Sequence, residues 1–495
     1  MHSRYDVIII GAGVVGCMTA RWLSRYALKI LLIEKSSDVC TGATAANSAL
    51  IHAGYDAVPG TLKAQMNVKA NPMWDRLSEE LRFGFARTGA YIVAVGEDEF
   101  QKLDIFLDRA GKNGVSAEII SGEKMRKREP NISPEVFGAL FVPAGGVCDP
   151  WGATIAAAEN AVTNGVELRL DTEFQDFLWS EHEPERIVGM KTSQGDFYGR
   201  WVINAAGLFA DEVMHKAGVR PEFRITPRRG EYFVMDRNQI QIQNVLFPVP
   251  NAISKGILVT TTLHGNTLIG PNAENIEDKT GVDVTPEGMD EIWEGGKKLV
   301  PGLDRRHIIA VFAGLRPAGN APCLNLDVDY HHDFVIEIPD QVKGFVNLAG
   351  MESPGLTAAP AIAERVVELL QEAGEGLKPK ADWDPIRPAR PVFRSLSHEE
   401  QAALVAKDSR YGRVICRCES VSEGEIVAEI HAPIPATTYD AIKRRTWLGA
   451  GRCLGGFDMP RVVDILAREL GKDPLGITKK GHGSEFLFRR TKEVG

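Results

Sequence analysis

Two places in the chain combine residue types and spacing that point to chemistry. Near the start, Gly11, Gly13 and Gly16 form a G-x-G-x-x-G run, and Glu34 closes the next apolar run. At a dinucleotide each has a task. Gly11 permits a tight turn, Gly13 lets a pyrophosphate approach the backbone, and Gly16 lets the following helix pack close. The free N–H groups and positive dipole end of that helix suit phosphates. Glu34 can accept hydrogen bonds from a ribose diol, and its charge repels a 2′-phosphate. There is no second fingerprint and no C-x-x-C, which disfavours a disulfide-reductase-type enzyme fed by NAD(P)H. The second place lies near the end. Of seven cysteines, Cys17, Cys40, Cys148 and Cys323 are scattered, whereas Cys416, Cys418 and Cys453 cluster.

The elements around the glycine run support that reading. YDVIII (5–10) is a buried-strand run, MTARWLSRYA has helical spacing, and ILLIEK (30–35) is a second buried strand. Together they make a βαβ unit of about 30 residues. From residue 91 the spacing gives a strand, a helix and a strand. Residues 151–165 read as a helix, and WVINAAG as a strand ending at Gly207. Residues 221–338 hold short strands and a helix, EGMDEIWEGGKKLV, expected to be interrupted at Gly295 and Gly296. GFVNLAG (344–350) is a strand before a long helix. Residues 374–397, with four prolines and alternating charges, read as an exposed linker.

Length and composition bound the rest. A chain of 495 residues predicts about three domains. With 44% hydrophobic and 25% charged residues it is an ordinary globular sequence. A net charge of −9 makes nucleic-acid binding a poor reading. No apolar run reaches the roughly 18 residues of a membrane span. Val7 to Ala20 is broken by glycines and lacks the features of a signal peptide. An odd, mostly sparse set of cysteines predicts a reducing, cytoplasmic location.

The motifs over residues 5–370 resemble the FAD-dependent oxidoreductases of the D-amino-acid oxidase and glycerol-3-phosphate dehydrogenase superfamily. GATAANSALIHAGYD (42–56) resembles the segment from ribose to flavin ring, and WVINAAGLFAD (201–211) the strand and turn on the adenine side. FAGLRPAG (312–319) and GMESPGLTAAPAIA (350–363) resemble the segments at the redox and pyrimidine edges of the ring. The resemblance implies FAD contacts from Glu34 and Lys35, from Thr44, Asn47 and Ser48, and from Ala206 and Gly207. It implies further contacts from Gly350, Gly355, Leu356 and Thr357. The helix opening near Gly355 can stabilise negative charge on a reduced flavin. The implied fold is α/β. A discontinuous Rossmann-like FAD domain takes 1–90, 151–220 and 339–373, and a mixed-sheet substrate domain takes 91–150 and 221–338. A linker (374–409), a small helical cysteine domain (410–475) and a tail (476–495) follow.

Hydride removal from an alcohol or amine carbon needs an anchored substrate anion and a base. Arg316 in GLRP is the anchor the resemblance implies, its planar fork suited to carboxylate or phosphate. Arg228 and Arg229 precede a strand, so at most one of them faces the pocket. Arg229 and Lys255 are taken as substrate contacts. His52, in IHAGYD, is placed beside the flavin ring as a catalytic residue with Arg316. The stretch ICRCESVSEGEI to GRCLGGF resembles the [2Fe–2S] domain of bacterioferritin-associated ferredoxin, which also closes the large subunit of the anaerobic glycerol-3-phosphate dehydrogenase. Where that family has its fourth cysteine, this chain has Asp458. Three thiolates and a carboxylate can hold a cluster; an empty site and a zinc site are the alternatives.

The first reading is therefore a cytoplasmic, membrane-peripheral or soluble dehydrogenase oxidising sn-glycerol 3-phosphate, with FAD, a [2Fe–2S] cluster, and a partner flavoprotein or quinone-linked subunit in an oligomer. A 2-hydroxy acid dehydrogenase of the L-2-hydroxyglutarate type is the second reading. A non-catalytic flavin and iron–sulfur electron-transfer subunit is the third.

Overall fold

The apolar strand Arg4–Ile10 lies at the centre of an eight-stranded sheet. It pairs in parallel with Ile30–Ile33 on one side and Gly195–Asn204 on the other. The strand Phe345–Ala349 joins Gly195–Asn204, also in parallel. These strands are buried on both faces, which is why they read as continuous apolar runs rather than alternating ones. Helices Val14–Leu23, Pro150–Thr163 and Gly355–Glu372 cover one face, Ala210–Lys216 the other. The computed structural model describes residues 4–250, 256–321, 332–490 and 492.

A nine-stranded sheet stands over this layer. Its longest pair is Ile225–Met235 with Ile308–Gly319, antiparallel, in a register that sets Arg228 opposite Arg316. The helix Pro286–Leu299 runs across this sheet without a break, contrary to the expected interruption. Its glycines serve contact instead. A Cβ on Gly295 would stand 2.5 Å from the Ile257 side chain, and one on Gly296 2.6 Å from that of Ile269. The helix lies close because those positions are bare.

The C-terminal segment forms its own small core around Ile426, Ile442 and Leu466. Helices Glu423–Ile430, Tyr439–Thr446 and Met459–Leu470 enclose it. Residues 374–409 lie along the surface, pinned by charge. Arg387 and Arg390 meet Glu159 at 2.6 and 2.9 Å, and Arg390 also meets Glu429 at 2.6 Å. The C-terminal unit is fastened to the rest of the chain at several points, among them the Arg237–Glu419 and Arg452–Asp236 ion pairs. Arg444 and Arg445 clasp the buried carboxylate of Asp38 at 2.6 and 2.8 Å. Trp447 stacks on Trp151, with ring centres 4.5 Å apart, and its indole N–H donates to Asp149. The mixed α/β class and its small helical appendage match the expectation from sequence. Among the described residues no helix is long and apolar enough to cross a membrane.

Candidate active site

The glycine turn works by close approach. Gly11 has φ +99°, and a Cβ on it would meet the Ala205 carbonyl oxygen at 2.6 Å. A Cβ on Gly16 would lie 1.9 Å from the carbonyl oxygen of Gly11. Gly16 therefore packs the helix under the turn, whereas Gly11 and Gly13 line the cavity above it. Overpacking of this kind costs about 1–3 kcal/mol. Gly16→Ala is accordingly expected to weaken FAD retention about ten- to hundredfold, read as the flavin-to-protein absorbance ratio after gel filtration.

One cavity of about 940 Å³ runs from this turn to the sheet above. That is the upper end of the roughly 300–1,000 Å³ usual for small-molecule sites, as a dinucleotide plus a small substrate requires. At the near end the Glu34 carboxylate accepts the N–H groups of Ala12 and Ser36, at 2.9 and 3.0 Å. It is thereby aimed into the cavity with lone pairs to spare. Lys35 also lines this end, its ammonium 3.5 Å from the centre of the Phe209 ring. Thr44 accepts the Val14 N–H at 3.1 Å, tying the loop to the helix N-terminus. Asn47 braces the same loop through Thr44 and Ala49, and Ser48 meets the Tyr232 hydroxyl at 3.0 Å. Ala206, Gly207, Gly355, Leu356 and Thr357 complete the wall. Gly350, at φ +70°, lies outside the cavity lining and turns the chain beside Gly319 and Asp333.

The far end is cationic. Arg316 is half-buried; its Nε and Nη2 donate to the carbonyls of Arg228, Arg229 and Asn272. Nη1 carries no hydrogen-bond partner among the described residues. Burial and the neighbouring Arg228 lower its pKa, against Tyr232 and Glu352. Gly230 makes room for this guanidinium, since a Cβ there would lie 3.2 Å from Nη2. Alternation along the strand puts Arg228, Gly230 and Tyr232 on the cavity wall and turns Arg229 away. Arg229 instead pairs with Glu274 at 2.5 Å. The cavity-facing arginine of this pair is thus Arg228 rather than the expected Arg229, a correction that the Arg228–Arg316 register explains. Lys255 lies outside the described residues.

Glu352 joins the cations. Lys63 binds it at 2.7 Å, and Arg228 stands 3.7 Å away. Burial pushes its pKa up, but Lys63, Arg228 and Arg316 outweigh this and hold it below the ordinary value. His52 lines the cavity nearby, its Nε2 3.3 Å from the Ser353 hydroxyl and its ring 5.9 Å from that of Phe247. Lys63, Glu352, Ser353 and Tyr232 were not singled out from sequence. Lys63 and Glu352 are 289 positions apart, and no local pattern joins them. His264, read as a turn residue, also packs against Trp447 with ring centres 3.8 Å apart and accepts from Arg394. Burial and the charges of Arg394 and Arg237 push its pKa down to about 3, so it is neutral.

The turn, the cradle of bare glycines and the inward carboxylate fit FAD. Residues 6–369 match the model of the FAD dependent oxidoreductase (DAO) family, and residues 414–468 that of the BFD-like [2Fe-2S] binding domain. The chain belongs to the FAD dependent oxidoreductase family and is an FAD-dependent enzyme. It is 44% identical over 490 residues to a glycerol 3-phosphate dehydrogenase of Caloramator mitchellensis, covering 99% of both chains. An L-2-hydroxyglutarate dehydrogenase of Escherichia coli is 33% identical over 276 residues, covering 54% of this chain and 64% of the relative. Among solved structures, the dithionite-reduced L-alpha-glycerophosphate oxidase of Mycoplasma pneumoniae with FAD bound superimposes with a TM-score of 0.71. It is 31% identical, covering 79% of this chain and all of that one.

Proposed function

We infer that the enzyme oxidises sn-glycerol 3-phosphate at C2 to dihydroxyacetone phosphate. The observation that carries this reading is the charge at the far end of the cavity. Arg316, Arg228 and Lys63 face one carboxylate, Glu352, leaving a cationic excess suited to a phosphate dianion. A guanidinium braced by backbone carbonyls is pre-organised to receive anionic oxygens. The full-length similarity to a glycerol 3-phosphate dehydrogenase supports the same substrate.

Bound FAD supplies the hydride acceptor. The chain's own residues do the rest. Arg316 and Arg228 hold the phosphate, which fixes the glycerol carbons in one orientation. His52 takes the C2 hydroxyl proton, and Ser353 orients its ring through Nε2. Thr357 and Asn71 lock the His52 backbone by bonds of 2.9 Å each. Electrons then pass to a partner subunit or quinone.

The test is anaerobic mixing of the purified holoenzyme with sn-glycerol 3-phosphate and, separately, L-2-hydroxyglutarate. Bleaching of the flavin by the phosphate alone is expected. Bleaching by the dicarboxylate alone would replace this substrate assignment with the 2-hydroxy acid one, and no bleaching by either would overturn both. Arg316→Lys keeps the charge and loses the fork, so substrate binding should weaken by about 1.5–3 kcal/mol, or roughly ten- to hundredfold in KM. Steady-state kinetics with a dye acceptor checks this.

A further inference from the structure

The C-terminal unit holds four donor side chains that the alcohol oxidation does not use. Cys416 and Asp458 are fully buried, and Cys418 and Cys453 are half-buried. They fall into two pairs. Cys416 lies beside Asp458, and Cys418 lies beside Cys453. Among the described residues no three His, Cys, Asp or Glu side chains converge on one metal-sized point. Two separate pairs are what a binuclear centre asks for, with two protein donors to each iron.

Asp458 itself points to a ligand. It stands at the N-cap of Met459–Leu470, where aspartate ordinarily accepts a backbone N–H, yet its side chain makes no cap bond. It turns inward instead. One carboxylate oxygen, Oδ1, accepts the Tyr439 hydroxyl at 2.7 Å, while Oδ2 is buried with no hydrogen-bond partner among the described residues, beside the Cys416 thiol. A buried polar atom left so is costly unless something else engages it. The surrounding backbone is closed around the set. A Cβ on Gly449 or Gly455 would come within 2.3 or 2.4 Å of the Tyr439 hydroxyl, and one on Gly451 within 2.7 Å of Cys418 Cβ.

The geometry points to a [2Fe–2S] cluster held by three thiolates and one carboxylate, with Cys416 and Asp458 on one iron and Cys418 and Cys453 on the other. A carboxylate is a harder ligand than a thiolate and favours the ferric state. With a cluster bound, Cys418 and Cys453 would therefore hold the iron that is reduced first. That pair lies nearer the surface, beside the exposed side chains of Leu454 and Phe457. This inference does not depend on the identity of the oxidised alcohol.

The test uses the full-length flavoprotein, purified anaerobically and reconstituted with iron and sulfide. Two irons per chain are expected, with an S = 1/2 EPR signal after one-electron reduction by dithionite. Mössbauer spectra of protein grown on isotopically enriched iron should show two inequivalent ferric sites. Asp458→Cys should keep the iron and make the sites nearly equivalent. Asp458→Ala should lose most of the iron while keeping its FAD, which reports an intact fold. Tyr439→Phe should keep the iron and shift the EPR g values. The proposal is overturned if the natural chain takes up no iron whereas Asp458→Cys takes up two. It is equally overturned if Asp458→Ala is spectrally identical to the natural chain, or if zinc binds stoichiometrically and iron does not. Flavin bleaching by substrate is read separately, so failure here and failure of the dehydrogenase reading are distinguishable.

Discussion

Replacing His52 by Asn is expected to slow reduction of the bound flavin by sn-glycerol 3-phosphate about 10²–10⁴-fold, the usual worth of a positioned general base. The His52 backbone is fixed by Thr357 and Asn71, and those bonds survive the substitution. Its ring touches Phe247 only loosely, at 5.9 Å between centres, so the packing lost is small. What is removed is the side chain proposed to accept the C2 hydroxyl proton. Anaerobic stopped-flow at saturating substrate isolates the step from the later fate of the electrons. In His52→Asn the KM should change little, because Arg316 and Arg228 remain on the cavity wall to hold the phosphate. A rate within about threefold of the natural one would reduce His52 to a packing residue.

The part of the site that was legible from sequence is the part built from contiguous residues. The glycine turn, Glu34, and the loop carrying Thr44, Asn47 and Ser48 all lie within the first 50 residues, where a strand, a helix and a strand meet in order. Their spacing alone determines what the turn can approach. The cationic end is different, because it is assembled by register. Alternation showed that only one of Arg228 and Arg229 could face inward, but choosing between them needs the partner strand. The pairing of Arg228 with Arg316 supplies that choice. Lys63 and Glu352 meet only because the helix Leu62–Ala70 packs on Gly355–Glu372. Gly295 and Gly296 misled for a related reason. Glycine weakens an isolated helix, and only the sheet beneath shows that bare positions admit Ile257 and Ile269. The docking of the C-terminal unit was equally invisible, since Asp38 and Arg445 are 407 positions apart.

Asp38→Ala is expected to release that C-terminal unit. Asp38 is buried, and it receives Arg444 through Oδ2 and Arg445 through both carboxylate oxygens. Burial alone would raise its pKa, but Arg445 and Arg444 hold it below the usual aspartate range. For Arg445 burial works the other way, and Asp38 with Glu429 keeps its charge firmly in place. Removing the carboxylate leaves two guanidiniums largely out of water, with Glu429 at 3.8 Å from Arg445 as the remaining close carboxylate. Breaking a buried pair from one side costs about 3–5 kcal/mol. The Trp151–Trp447 stack and the Arg390 bridges still hold the interface. The loss should therefore appear as local opening rather than global unfolding. Limited proteolysis should cut within the C-terminal unit about 10²–10³-fold faster, with FAD content unchanged. The sign of the pH dependence follows from the depressed pKa. The stabilisation is fully present above the unfolded aspartate value of about 3.9, and it is lost as pH falls through the lower folded value. The difference between the natural chain and Asp38→Ala should be constant from about pH 5 to pH 8 and shrink only in stronger acid. Equal proteolysis of the two at neutral pH would show that the aromatic stack and the remaining ion pairs suffice to fasten the unit, and would strip the Asp38 clasp of its role.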